Sequence, residues 1–313
     1  MRKIFLAGIV FVSVGFMQAA SFTERPVSKA ELGKLLFFDP ILSKDRTISC
    51  SSCHIPEYAF ADTATVSKGV FGRKGKRNSP TAMNLLLARE FFWDGRAGSL
   101  HAQALQPIEN PDEMDLKLSV AVDRLQKSKK YRQYFQSVFN SLPDTNNLAE
   151  AIASFERTLE TNESPFDEWK IFDKEEAVSE SAKRGFQVFG SKGKCTQCHF
   201  GGDFTQREFR NIGLFDGKEL NDSGRAVISK KPVDIGKFKT PSLRNIAVTA
   251  PYMHNGMLKS LEDVIEFYND PTKVVPGNLY RDTILAKPLG LTDQEKKDLK
   301  SFLLSLTDKR FKK

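Results

Sequence analysis

The sequence is poor in the residues from which proteins build disulfides and metal sites. Its 313 residues include four cysteines and four histidines. After the N-terminal stretch, no segment approaches the roughly 18 apolar residues that a transmembrane helix needs, so we expect no stable membrane span in the mature chain. The net charge of +8 is spread along the chain, and no basic cluster is interleaved with aromatic residues. We therefore expect no nucleic-acid partner.

The N-terminus has the layout of a secretory signal peptide. Arg2 and Lys3 form a basic start, an apolar run covers 4–17, and small residues follow at 19–21. This order predicts a signal peptide over residues 1–20, with cleavage near Ala20 and export of the mature protein to the periplasm. The alternative is a buried N-terminal helix.

All four cysteines lie in two copies of one motif, CSSCH at 50–54 and CTQCH at 195–199. C-x-x-C-H is the attachment signal for c-type haem, in which two thiols reach the two vinyl groups and the histidine ligates the iron. Zinc and disulfides are the alternatives, but neither needs a histidine after each pair. The motif predicts two covalent haems, held by Cys50, Cys53, His54, Cys195, Cys198 and His199.

The residues around the two motifs form an internal repeat. Upstream, ELGKLLF (31–37) resembles AKRGFQVF (182–189), and downstream SPTAMN (79–84) resembles TPSLRN (240–245). Counting on from the two asparagines brings two further glycines and two leucines into register. The repeat predicts a mainly α fold with two cytochrome c-like domains, at 21–165 and 166–313.

The same count predicts two unlike haems. Tyr268 and Pro107 occupy equivalent positions, seven residues after the paired leucines. Tyr268 falls on the apolar face of a predicted helix and would point toward the second haem, although a core tyrosine fits the spacing as well. Pro107 offers no donor to the first iron. Met253 and Met257 are competing ligands for the second iron.

His101 is the one histidine in this region that could close the open face of the first haem. No histidine occurs between His54 and His101. His101 begins a short predicted helix, where a surface or packing role is the simpler interpretation.

Several motifs resemble the bacterial di-haem cytochrome c peroxidases, and within them the MauG-like branch. The resemblance covers essentially the whole mature sequence. Its markers are RNSPT (77–81), FWDGRA (92–97), QPIENPDEM (106–114), TPSLRN (240–245), TAPYMHNG (249–256) and LGLTDQEKKDLKSFLLSL (289–306).

Two departures from the ordinary peroxidases point to the MauG-like branch. The loop before RNSPT lacks the family's distal histidine, and Tyr268 stands where the family carries a methionine ligand. The resemblance therefore implies that Tyr268 ligates the second haem and that the first, beneath Pro107, is five-coordinate. It also implies a peroxide-handling acid at Glu113 and an electron-conducting Trp93.

The resemblance further implies a calcium ion between the domains, held by the Asn78 side chain and the carbonyls of Thr249 and Pro251. Oxygen donors of this kind suit calcium. The sequence alone does not suggest the ion.

The function expected from the resemblance is a periplasmic di-haem enzyme that uses hydrogen peroxide. It would reduce peroxide with electrons from a small cytochrome or copper protein, or oxidise a protein substrate. The alternative is a di-haem electron-transfer cytochrome without an open iron.

The remaining segments predict helices and one connection. Residues 119–139 and 151–161 read as helices, and 162–176 as a charged connection between the repeats. Capping boxes mark helix starts at Ser28, Ser260 and Thr292.

Overall fold

The computed structural model describes residues 25–276 and 280–311. The predicted signal peptide lies outside these residues. Within them the chain is mainly helical, as predicted, with one short antiparallel sheet. The helices are α1 (Lys29–Phe38), α2 (Leu100–Glu109), α3 (Leu118–Lys127), α4 (Lys129–Phe139), α5 (Thr145–Glu156), α6 (Pro165–Ile171), α7 (Glu180–Gly190), α8 (Ala226–Ser229), α9 (Leu261–Asn269) and α10 (Asp293–Ser305), and the strands are β1 (Phe209–Arg210) and β2 (Phe238–Lys239).

Two helix pairs repeat the same close crossing. α1 packs on α5, and α7 packs on α10. A Cβ atom on Gly33 would lie 1.9 Å from the carbonyl oxygen of Ala151, and one on Gly185 would lie 1.9 Å from that of Asp298. Only glycine permits backbones to approach this closely. The two glycines of the sequence repeat therefore mark equivalent points in the two halves.

Each half has its own apolar core. The first gathers side chains of α1 to α5, among them Leu36, Ile108 and Phe135. The second gathers side chains of α7, α9 and α10, among them Phe189, Ile265 and Phe302. Two cores agree with two cytochrome c-like units, while the boundary at 165/166 stays a prediction.

The three predicted capping boxes are present. The hydroxyls of Ser28, Ser260 and Thr292 accept hydrogen bonds from backbone N–H groups three residues on, and the acidic side chains there return the bond. These local signals fix the starts of α1, α9 and α10.

Three segments differ from the sequence predictions. The helix predicted at 151–161 belongs to α5, which begins at Thr145 and ends at Glu156. Residues 119–139 form two helices, because Ser128 adopts an extended backbone and caps α4 by accepting from the Tyr131 N–H. The connection at 162–176 contains α6, which starts at Pro165 after a capping box between Ser164 and Asp167. Across 25–276 and 280–311, no helix is both long and apolar enough to cross a bilayer.

Candidate active site

Each C-x-x-C-H motif folds into a tight turn. Cys50–Ser52 and Cys195–Gln197 are single 3₁₀ turns. The backbone N–H of His54 donates to the Cys50 carbonyl at 2.9 Å, and that of His199 donates to Cys195 at 2.8 Å. The turn brings each histidine back toward the first cysteine of its own motif.

Both motif histidines are held in the form that binds a metal through Nε2. Nδ1 of His54 lies 3.0 Å from the Phe60 carbonyl oxygen, and Nδ1 of His199 lies 2.8 Å from that of Phe204. A carbonyl only accepts, so Nδ1 carries the proton and Nε2 keeps its lone pair. Burial lowers the pKa of both histidines, to about 4 for His199, so both are neutral at pH 7.

The four cysteines are free thiols rather than disulfides. Burial raises the pKa of every one, to about 11 for Cys53 and about 12 for Cys195. In the described ranges, no cluster of three or more His, Cys, Asp or Glu side chains could hold a metal ion. The two thiols of each motif are unpaired and border a cavity, an arrangement that fits thioether attachment to a haem.

The first motif opens into a large cavity, here called the first cavity. It brings together most of the residues predicted for the first haem and its chemistry, which are Cys50, Cys53, His54, Trp93, Pro107 and Glu113. His54 is the only histidine among its lining residues. Pro107 lies inside α2, which forms one wall.

Glu113 is half-buried at the edge of the first cavity. Its Oε1 accepts a hydrogen bond of 2.7 Å from the Asn110 side chain. Burial raises the pKa of this carboxyl, against the opposing effects of Arg96 and Asn110. The group is therefore more proton-retaining than an exposed glutamate.

The second motif opens into a separate, largely apolar cavity, here called the second cavity. His199, Tyr268 and Met253 all line it. The Tyr268 hydroxyl makes no hydrogen bond to any described residue, and burial raises its pKa. Met257 does not line this cavity, and its sulfur instead lies 3.5 Å from the Asn255 side-chain nitrogen. Tyr268 and Met253 thus remain the candidate ligands.

Trp93 lies between the two cavities and lines both. Its indole N–H donates to the Asn78 carbonyl oxygen at 2.8 Å, which fixes the ring. The backbone carbonyl of Trp93 in turn accepts from the Lys239 N–H at 2.8 Å, which ties the two halves together here.

The three residues proposed for calcium also lie together. Asn78, Thr249 and Pro251 all line the second cavity. The Asn78 amide nitrogen donates to the Ala64 carbonyl at 3.1 Å, which turns its Oδ1 away from that loop. The carbonyls of Thr249 and Pro251 accept no hydrogen bond from the described residues. Three uncommitted oxygens suit a hard cation.

His101 lies away from both cavities. Its side chain is 41% exposed, and its Nε2 contacts the Glu150 carboxylate on the surface. The surface interpretation of this histidine therefore fits its position.

Two residues of the first cavity were missed from the sequence. Gln103 lies one turn before Pro107 on α2, and its side-chain oxygen is buried without a partner. Its four-residue spacing from Pro107 was a usable signal. Glu156 at the end of α5 is 4% exposed and also has a buried, unpartnered oxygen. No sequence signal distinguishes it.

Comparison with known proteins decides the family. Residues 27–176 match the family described as di-haem cytochrome c peroxidase. The methylamine utilization protein MauG of Methylorubrum extorquens is 39% identical over 282 residues, covering 89% of this chain and 78% of that protein. The cytochrome c551 peroxidase of Pseudomonas aeruginosa is 34% identical over 303 residues, covering 94% and 83%. The chain belongs to the di-haem cytochrome c peroxidase family.

A solved structure agrees with this assignment. A MauG-like protein associated with microbial copper homeostasis shares 31% identity and a TM-score of 0.83, over 92% of this chain and 94% of that one. The predictions of a MauG-like di-haem peroxidase fold, an oxidoreductase and two c-type haems are confirmed by these relatives.

Proposed function

We propose that this chain is an exported peroxidase in which hydrogen peroxide reacts at the first cavity and electrons pass through the second. The electrons come from a small cytochrome or copper protein, or from a protein substrate that is oxidised. The observation that carries the proposal is the pairing of a neutral His54 with a proton-retaining Glu113 in one cavity. Export follows from the N-terminal sequence.

The residues of the first cavity fit a bound haem and a reacting peroxide. A haem bound here would be held by His54 and would supply the iron that reacts with peroxide. Cleavage of the O–O bond requires that a proton leave one peroxide oxygen and reach the other, and a pocket carboxyl does this. Asn110 holds Oε1 of Glu113, which leaves Oε2 to carry the proton.

The second cavity suits electron transfer rather than peroxide chemistry. Its lining is mostly apolar, and Tyr268 offers a phenol oxygen that no described protein group engages. We infer that His199 and Tyr268, which line this cavity together, would hold a haem bound there, and that this haem would supply an electron-transfer centre. Trp93, which borders both cavities, provides the path for electrons between them.

The proposed role of Glu113 is tested by Glu113→Gln, which keeps the shape and removes the acid. The rate of the peroxide-driven change in the haem spectrum should fall on the order of a hundredfold. The matched control is Glu57→Gln, an exposed glutamate outside both cavities, which should react as the unaltered protein does. Equal rates for both variants would reject an acid–base role for Glu113.

A simple spectrum separates this proposal from the electron-carrier alternative. An enzyme with one open iron should show high-spin and low-spin ferric signals together. A carrier with two filled irons would show low-spin signals alone, and the proposed function would then fail.

We also propose that calcium binds between the halves through Asn78, Thr249 and Pro251. A chelator should lower the unfolding temperature, since a ligand at 100 times its Kd stabilises by about 2.7 kcal/mol. Added calcium should restore it and magnesium should not, because magnesium prefers a smaller octahedral site that retains water. A chelated protein that unfolds at the original temperature would contradict this site.

A further inference from the structure

Helices α5 and α10 form equivalent walls of the first and second cavities, and the residues that line these two walls differ in character at one position. Ala151 of α5 faces Gly33 and Asp298 of α10 faces Gly185, so Ala151 and Asp298 occupy equivalent positions in the two halves. Counting on by five residues makes Glu156 the equivalent of Leu303. Leu303 lines the second cavity and Glu156 lines the first.

The equivalent leucine shows that this wall does not need a carboxyl for packing. One turn earlier the two walls match in character, with Ile152 in the first cavity and Leu299 in the second. A buried carboxyl costs stability where a leucine would contribute it. Packing therefore does not explain the carboxyl at 156, and we look for its role in the chemistry of the first cavity.

Glu156 is buried without the partners that buried carboxylates usually have. It is 4% exposed, and no described group hydrogen-bonds to its Oε2. Arg157, the next residue, only partly offsets the effect of burial, which raises the pKa of Glu156 to about 8. The side chain is therefore mostly protonated at pH 7 and faces the cavity as a hydrogen-bond donor.

A matching acceptor lies in the same cavity. The Oε1 atom of Gln103 is also buried without a partner. Gln103 belongs to α2, which packs against α5 through a core that includes Ala104 and Ile152. Buried polar groups left open in this way are normally satisfied by water. Besides Arg157, a further titratable group that interacts electrostatically with Glu156 is Cys50 of the motif turn, whose thiol also interacts with Glu113.

The reaction needs more protons than Glu113 supplies. Reduction of one hydrogen peroxide to two waters breaks the O–O bond and consumes two electrons and two protons. A shuttle that moves a proton from one peroxide oxygen to the other adds none to this total. A second acid in the cavity, reloaded from solvent after each turnover, meets the need.

We propose that Glu156 is this second acid and delivers one of the two protons to the first cavity through water, while the other proton is taken up from solvent. The proposal rests on the proposed function, in which peroxide is reduced at that cavity by electrons from a donor protein. The proton leaves the Glu156 carboxyl, and the resulting carboxylate is reprotonated before the next cycle.

The test compares Glu156→Gln and Glu156→Leu in the protein with both haems attached. Leucine is the residue found at the equivalent position 303, so this variant should fold and keep its haem even if glutamine does not. Infrared spectra should show a protonated-carboxyl band that loses intensity as pH rises through about 8. This titrating band should be absent from both variants and present in Glu57→Gln. A band that persists in both variants overturns the proposal.

Turnover provides the second measurement. Steady-state peroxide reduction with a reduced cytochrome donor should fall on the order of a hundredfold in both variants, the usual effect of losing one acid. The turnover of the unaltered protein should decline above about pH 8, where Glu156 has lost its proton, and this step should disappear in the variants. Unchanged turnover and pH profile overturn the proposal for Glu156. The proposed function fails separately, if Glu113→Gln leaves the initial peroxide reaction unaltered.

Discussion

At the scale of single residues, each motif histidine depends on a carbonyl that its motif does not contain. Phe60 and Phe204 both accept from a histidine Nδ1, and both have left-handed backbones, with φ of 56° and 52°. A non-glycine residue in this conformation costs roughly 1–2 kcal/mol. The sequence predicted the histidines from spacing, but it could not reveal these carbonyls, because nothing in a phenylalanine signals a positive φ.

Tyr268 is the residue at which the two irons should be most easily distinguished. Tyr268→Phe removes the phenol oxygen while keeping the ring. The variant should retain both haems and lose the low-spin signal of one iron. A phenolate is a hard anionic donor that stabilises oxidised iron, so the reduction potential of the second haem should also rise. Electron paramagnetic resonance and a redox titration measure the two effects.

The control is Met253→Leu, the other candidate ligand in the second cavity. It should leave the low-spin signal in place. If the signal survives Tyr268→Phe and is lost in Met253→Leu, methionine is the ligand and the repeat count is wrong at this position.

The acids of the first cavity show where single-residue prediction stops. Glu113 was predicted only from the resemblance to a family. Its loop contains several acidic residues, and nothing in the sequence distinguishes Glu113 from the others. Glu156 had no such support and reads as one more charge on a helix. Its burial is imposed by packing partners that are distant in the sequence, and a local pattern cannot report them.

At the scale of helices, three helix starts could be predicted from capping boxes, but the break between α3 and α4 could not. Ser28, Ser260 and Thr292 each have an acidic residue three positions on, which completes a capping box. Ser128 has Tyr131 there and caps α4 by its hydroxyl alone. Without an acidic residue at 131, no capping box marks the break between α3 and α4 in the sequence.

The α1–α5 crossing should be intolerant of a single methyl group. Gly33→Ala favours the helix by about 1 kcal/mol through propensity. Against this, its Cβ would lie 1.9 Å from the Ala151 carbonyl oxygen, so the helices must separate. Overpacking of this kind costs typically 1–3 kcal/mol. Because the clash is with a backbone carbonyl, we expect a cost at the upper end of this range and a net loss of about 2 kcal/mol in the free energy of unfolding, measured by denaturant titration.

Gly98→Ala is the matched control for this crossing. An added Cβ there meets no atom within 4 Å. The stability of this variant should stay within about 0.5 kcal/mol of the original, as for most surface changes. Equal stability of the two variants would show that α1 and α5 are not packed as closely as described.

At the scale of the whole molecule, the two halves are joined by polar contacts between residues far apart in sequence. Arg77 binds Asp222 through Nε and Nη2 at 2.6 and 2.8 Å, and Asp94 through Nη1 at 2.6 Å. Thr161 likewise links Asn84 of the first half with Asn245 of the second. The internal repeat predicted two units. It could not predict which residues make contact between them, because a repeat describes what the units share and the contacts join different surfaces of each.

Arg77 should therefore contribute to the free energy of unfolding through its contact with Asp222 in the other half. Removing one partner of a buried ion pair typically costs 3–5 kcal/mol. Here Asp94 keeps Arg96 and the Asp222 side chain is 30% exposed, so we expect Arg77→Met to cost less, about 2 kcal/mol. Lys127→Met, which breaks an exposed pair with Asp123, should cost less than about 1 kcal/mol.

The effect of Arg77→Met should also depend on pH. Burial raises the pKa of Asp222, but the hydrogen bonds from Arg77 and the Gly224 N–H outweigh it and leave the pKa below the ordinary 3.8. A lowered folded-state pKa contributes stability above the unfolded value and loses it as pH falls through the folded one. The gap in unfolding free energy between the two proteins should be full at pH 6 and should narrow below about pH 4. A gap that is constant down to pH 3 would show that Arg77 acts through packing rather than charge.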